Sequence, residues 1–441
     1  MAYKKSIKSP GHLHQSSLQT SHVHQLQYQL QDTRLPLSLV YNLKAIHSFS
    51  NRNPFIMKVL VCPSGFKGSI NPGTAADSIE AGILQAMPEA TVRKVPLADG
   101  GEGFAHALVA ATSGTIRNLC VTGPVREPVQ SFYGILGNTS VKTAVIEMAA
   151  VAGLSLVPPD RRNPCATTTY GVGQLIAAAL DDGAQRIIVG CGDSGTSDGG
   201  AGMLQALGAR LLDYDGRELP HAGGGQSLVS LAGVDFSKMH PRLKYVNVEA
   251  VCNWKNVLCG PQGVARVYGP QKGASPEQTQ LLEAALHTYA VVIHRTLGID
   301  ISHAPGSGAS GGLGAGLLLV GAELRPRYEA LMEYFHLEDI FSDCDLVITA
   351  EGAIDDQTPR GKIPAEVALR ARERSIPVIV LAGTVGRDAQ VNYEIGISVF
   401  TSILQRPSTL DEAMGDTERL LTEAAEGAMR IIAIGRSLEF R

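Results

Sequence analysis

The chain has 441 residues, 44% of them hydrophobic and 18% charged, enough for two or three domains with a sizeable core and incompatible with wholesale disorder. Its formal net charge of −4 gives no electrostatic footprint for nucleic acid or an anionic membrane, so neither is expected as a partner. No apolar run reaches the ~18 residues of a spanning helix, and seven scattered cysteines without a C-x-x-C pair read as reduced core thiols of a cytoplasmic protein.

Residues 1–56 set Lys4, Lys5, Lys8, Arg34, Lys44 and Arg52 against one acid, Asp32, in a Ser-, Gln- and His-rich background. The expectation is a disordered N-terminal extension, with an organellar transit peptide as the alternative. Met57 then opens a short strand over Lys58–Cys62. Helical spacing covers Thr74–Met87, with Asn71 and Thr74 available as caps. A strand over Thr91–Leu97 and a helix over Gly103–Thr112 follow, then a hairpin-like pair, "VQSFYGILG" and "TAVIEMAAVAG". Helix is predicted over Thr167–Asp182, a buried strand at "QRIIVG" and helix again across "GGAGMLQALGARLL". The last third alternates most clearly: strand "CDLVITAEG", helix "PAEVALRARER", strands "PVIVLAGTVG" and "ISVFTSIL", and one helix from Thr409 to Ile432. Apolar strands alternating with helices imply parallel sheets covered on both faces, so the fold class is α/β with a less regular middle.

Glycine-rich and polar loops follow several strands: "PSGFKGS", "ADGGEG", "GCGDSGTSDGG" and "AEGAID", with "GSGASGGLG" before an apolar helix. Ligands of open α/β sheets bind outside strand carboxyl ends, so these loops are expected to share one cleft. Gly192-Asp193-Ser194-Gly195 resembles a protease nucleophile segment, but no histidine stands in a matching context, and Ser194 is read as a positioning group. Gly190–Gly195 and Gly306–Gly311 both fit G-x-G-x-x-G, which keeps a nicotinamide-dependent hydroxy-acid dehydrogenase as an alternative. Asp193 inside the first loop would repel a pyrophosphate, however, and no acid-ended strand follows at the expected distance.

No Walker A segment is present. A phosphotransferase without one must gather backbone amides, lysines and metal-holding carboxylates from separate loops. The loops offer Lys67, Asp99, Glu102, Ser194, Thr196, Asp198, Lys272, Glu351, Asp355 and Lys362, with Gly306, Gly308, Gly311 and Gly312 available for backbone contact with a cofactor.

In order, "PSGFKGS", "PLADGGEG", "IEMAAVAGL", "TTYGVGQLI", "GTSDGGAGMLQALGA", "GPQKGAS", "GSGASGGLGAGL" and "LVITAEGAIDDQT" resemble the glycerate kinase type-1 family, from about Met57 to Gly435. The resemblance implies phosphorylation of D-glycerate by ATP with Mg2+, most often at the 2-hydroxyl. It also implies two α/β domains: a discontinuous Rossmann-like one (57–125 and 320–441) and a mixed one inserted between them (126–319). Motif matching makes Lys67, Asp99, Asp198 and Lys272 the catalytic candidates. Asp99, Glu102, Glu351 and Asp355 become the metal candidates, and Ser194, Thr196, Lys362 and the four glycines the cofactor contacts. A homo-oligomer is left open. Ser64, Ser197, Asn253 and Ala353 depart from the family pattern, and Asp193 stands where glycine is common, which keeps a catalytically weakened binding paralogue as a further alternative.

Overall fold

The structure is a computed structural model that describes residues 56–97, 100–326, 330, 333–334, 340–360 and 362–438. The expected N-terminal extension up to residue 55 and the candidate Asp99 lie outside the described residues.

Strands are numbered β1 to β13 along the chain. β1 (Lys58–Val61), β2 (Thr91–Lys94), β11 (Leu346–Ile354), β12 (Val378–Val385) and β13 (Val399–Ser402) form one sheet in the order β13-β12-β11-β1-β2. Every pairing in it is parallel. Counted by their own succession these strands run 2-1-3-4-5, a doubly wound order whose direction reverses between β1 and β11.

Side-chain alternation explains why both faces are covered. Val59 and Val61 pack with Ile79 and Ile83 of the helix Pro72–Ala86 and with Leu421 and Met429 of the helix Thr417–Leu438. Leu60 and Cys62 face the other way, toward Val367 and Ala371 of the helix Ile363–Glu373. Each such aliphatic side chain contributes roughly 1.5–3 kcal/mol on burial. The two helices on the first face cross closely: a Cβ at Gly82 would lie 2.1 Å from the Thr422 carbonyl oxygen.

A second sheet holds β3 (Thr115–Thr122), β4 (Pro128–Ile135), β5 (Thr143–Glu147), β6 (Arg186–Gly190), β9 (Asn247–Cys252) and β10 (Glu323–Pro326), in the order β10-β9-β6-β5-β4-β3. It is parallel from β10 to β5 and antiparallel across β5-β4-β3. The fold is thus α/β with one parallel and one mixed sheet, the mixed one drawn from the middle of the chain. β3 and β10, which lie in the segments expected to build the Rossmann-like part, pair in the mixed sheet.

Three local expectations change. The helix expected over Gly199–Leu212 covers only Ala201–Ala206, because Gly208 at φ +101° turns the chain and releases Arg210–Leu212 as β7, paired with β8 (Gly233–Asp235). The last helix is two, Leu410–Gly415 and Thr417–Leu438, separated at Asp416. The irregular middle holds one long element that was not expected, the 22-residue helix Pro276–Leu297 started by a Ser275–Gln278 capping box. No helix of the described residues is long and apolar enough to cross a membrane.

Candidate active site

A cavity of about 820 Å3 opens at the carboxyl end of the parallel sheet. The loops after β1 and β11 line it, so it sits at the reversal point where the doubly wound order predicts a ligand. Its size falls in the range of about 300–1,000 Å3 usual for small-molecule sites. Two of the longer helices begin on its wall: Pro72–Ala86, capped by Asn71 Oδ1 on the Thr74 N–H at 3.0 Å, and Ile363–Glu373 behind Lys362. Their unpaired N–H groups and dipoles favour negative charge there.

Five charged side chains line the cavity: Lys67, Glu102, Asp193, Glu351 and Lys362. Phe66, Ile403, Leu404 and Met414 supply an apolar part of the same wall. Lys67 Nζ lies 2.6 Å from Asp193 Oδ1, joining the loop after β1 to the loop after β6. The other Asp193 oxygen accepts the Glu102 N–H at 3.2 Å, and Glu102 Oε1 accepts the Ser155 hydroxyl at 2.6 Å. Lys362 Nζ donates to the Ala353 carbonyl at 3.1 Å and to Asp355 Oδ1 at 3.3 Å. Partial burial works against ionisation of Asp355, but Lys362 and the Gln357 N–H outweigh it and hold the carboxyl below its usual range.

Lys272, Ser194, Thr196 and Asp198 form a separate buried group behind the Asp193 turn. Lys272 Nζ donates to Ser194 Oγ and to the Thr196 carbonyl, both at 2.7 Å. Burial drives the Lys272 ammonium down to about 7, with the Asp198 charge opposing. Asp198 accepts the Thr169 N–H at 2.8 Å and the Gly200 and Gly202 N–H groups at 3.1 and 3.2 Å, besides the Thr169 hydroxyl. Burial pushes its carboxyl up, and these donors pull it back. The four residues bind the loop together, and they are not among the cavity's lining residues.

Nor are the four candidate glycines. A Cβ at Gly308 would start 2.1 Å from the Val257 carbonyl oxygen and one at Gly311 1.8 Å from that of Thr196, while Gly306 and Gly312 abut Cys252 and Gly199. At Gly308, Gly311 and Gly312 the missing side chain lets backbone pack against backbone. Of the departures from the family pattern, Ser64 and Ala353 line the cavity. Ser197 is buried, and Asn253 makes a local turn by accepting the Lys255 N–H at 3.1 Å.

Two contributors escaped the sequence reading. Asp193 reads in sequence as a repulsive acid and as a departure from a common glycine, not as the partner of Lys67. Glu147, at the end of β5, accepts the Gly103 and Ala105 N–H groups at 3.1 and 3.0 Å and so seats the helix Phe104–Ala111 beside Glu102. Burial raises its carboxyl to about 7, and the Glu102 and Asp193 charges add to the rise. Its one signal in sequence is a lone acid closing the apolar run "AVIE".

Paired lysines, carboxylates and helix N-termini at a reversal point define a class: α/β enzymes that handle small anionic substrates. Comparison with known proteins narrows it. The profile of the glycerate kinase family matches residues 59–433. The chain is 43% identical over 383 residues to a glycerate kinase of Bacillus subtilis, covering 87% of this chain and 99% of that protein. It is also 43% identical over 380 residues to glycerate 2-kinase of Escherichia coli, covering 86% and 99%. A crystal structure of a Salmonella typhimurium protein designated glycerate kinase 2 superposes with a TM-score of 0.71 at 41% identity, covering 87% of this chain and all 100% of that one. The chain belongs to the glycerate kinase family.

Proposed function

We propose that the protein transfers the terminal phosphoryl group of ATP to D-glycerate, giving 2-phosphoglycerate, with the nucleotide seated in the cavity at the reversal point. One observation carries the reading: a crevice of about 820 Å3 combines two lysines and three carboxylates with an apolar wall. An adenine nucleotide needs both halves, since its base is apolar and flat and its phosphates are anionic. The choice of the 2-hydroxyl is supported by the activity for which the Escherichia coli relative is named. The domain division is proposed to follow the two sheets.

Lys67 and Lys362 neutralise phosphate oxygens, and the N-termini of Pro72–Ala86 and Ile363–Glu373 donate N–H groups to them. Among the described residues no cluster of three acids, histidines or cysteines forms a ready-made metal cage. Mg2+ carried by a nucleotide does not require one, because phosphate and water supply most of its oxygens. Glu102 and Glu351, two acids that line the cavity, fit that requirement. Bound Mg2+ supplies charge neutralisation between the phosphates. Asp99, three residues before Glu102 in the sequence, is proposed to orient the acceptor hydroxyl. Ser194, Thr196, Asp198 and Lys272 hold the Asp193 turn in shape.

The test is a coupled ADP-release assay over a panel of small hydroxy acids, with and without Mg2+, and the product identified by phosphorus NMR. ADP release dependent on D-glycerate and Mg2+ is expected. No release with any acid, or a nicotinamide absorbance change instead, overturns the reading.

A further inference from the structure

We infer that Asp193 is the positioning residue for Lys67, fixing the lysine ammonium where the transferred phosphate passes. The inference rests on the placement of Lys67 at the phosphates proposed above. Lys67 leaves the loop after β1 on a long flexible stem, with its side chain 81% exposed. Asp193 is only 20% exposed and meets that ammonium at 2.6 Å. Its second oxygen takes the Glu102 N–H at 3.2 Å. One carboxylate therefore ties together three loops of the cavity wall.

The backbone aims this carboxylate. Asp193 sits at φ +47°, a conformation glycine adopts freely and other residues adopt at a cost. It is held there from both sides: the Leu154 N–H donates to the Asp193 carbonyl at 2.9 Å, and the Gly195 N–H donates to the Ala152 carbonyl at 2.9 Å. A glycine would relieve the strain, so what the aspartate adds is its side chain. An ion pair with so exposed a partner adds little to stability. Its effect lies in placement, and an ammonium with three N–H donors keeps some for phosphate oxygens while the carboxylate holds it.

The experiment measures kcat, KM for both substrates and the melting temperature for Lys67→Met, Asp193→Asn, Asp193→Gly, Asp193→Glu and the double variant Lys67→Met/Asp193→Asn. Asp193→Asn and Asp193→Gly are expected to lose about 10- to 100-fold in kcat, up to the scale of a misplaced catalytic group, with KM for D-glycerate little changed. Asp193→Glu recovers part of the loss. Asp193→Gly melts no lower than wild type, which separates placement from folding. In the Lys67→Met background the added Asp193→Asn changes kcat by less than about twofold, because it acts through a group already removed. Wild-type kcat for Asp193→Asn beside an impaired Lys67→Met overturns this inference alone, as do losses that multiply in the double variant. Wild-type kcat for Lys67→Met overturns the inference together with the proposed role of Lys67.

Discussion

Lys272 gives a prediction with a definite sign. Replacing it by methionine removes a buried ammonium but keeps the length of the side chain. In the folded protein burial lowers Lys272 from 10.5 to about 7, so between those values the unfolded chain binds one proton more than the native one. Stability then rises with pH across this window, by up to about 1.4 kcal/mol per pH unit, and that gain is lost as pH falls toward 7. Over the whole window the total approaches roughly 5 kcal/mol as an upper limit. Buried thiols such as Cys62 and Cys191 work the other way at alkaline pH, since burial raises them. They are common to both proteins and cancel in the difference. Urea unfolding of wild type and Lys272→Met at pH 7.5 and 9.0 should show the wild-type advantage growing by about 2 kcal/mol. A difference that stays constant with pH would refute the claim that the lysine is buried and neutralised in the native state.

Asp198→Asn puts an amide among several N–H donors and should cost about 2–4 kcal/mol of stability in urea; an unchanged midpoint would contradict the acceptor role described for it. Glu147 titrates near 7 when folded against 4.5 in its ordinary state, so its contribution is present below pH 4.5 and lost as pH rises to 7. Glu147→Gln should flatten that stretch of the stability profile, and an identical profile would count against it. Gly311→Ala, with its Cβ 1.8 Å from a carbonyl oxygen, should lower the melting temperature sharply. Gly427→Ala, on the helix Thr417–Leu438 with nothing within 4 Å, should add up to about 1 kcal/mol. Equal effects from the two would show that close approach is not what these glycines provide.

Alternating periods in the last third read directly as β11 and β12 with the helix Ile363–Glu373 between them, because those two strands are apolar on both faces. Lys67, Glu102, Glu351 and Lys362 were legible as cavity residues because polar side chains beside glycines at strand ends have few structural uses. The glycine loops stayed ambiguous for a physical reason. A missing Cβ serves phosphate contact and backbone packing alike, and at Gly308 and Gly311 packing uses it. Asp193 was hidden because its partner, Lys67, lies far away in the chain and the contact exists only after both sheets form. The apolar wall was also out of reach, since Phe66, Ile403, Leu404 and Met414 come from separate segments with no shared pattern. The 22-residue helix Pro276–Leu297 did carry a signal, the S-x-x-Q spacing of its capping box.

The most direct measurement is a crystal structure with Mg2+ and a non-hydrolysable ATP analogue. The base is expected against Phe66, Ile403, Leu404 and Met414, and the terminal phosphate within reach of Lys67 and Lys362. A nucleotide seated instead on the Gly306–Gly312 loop, away from the reversal point, would contradict it.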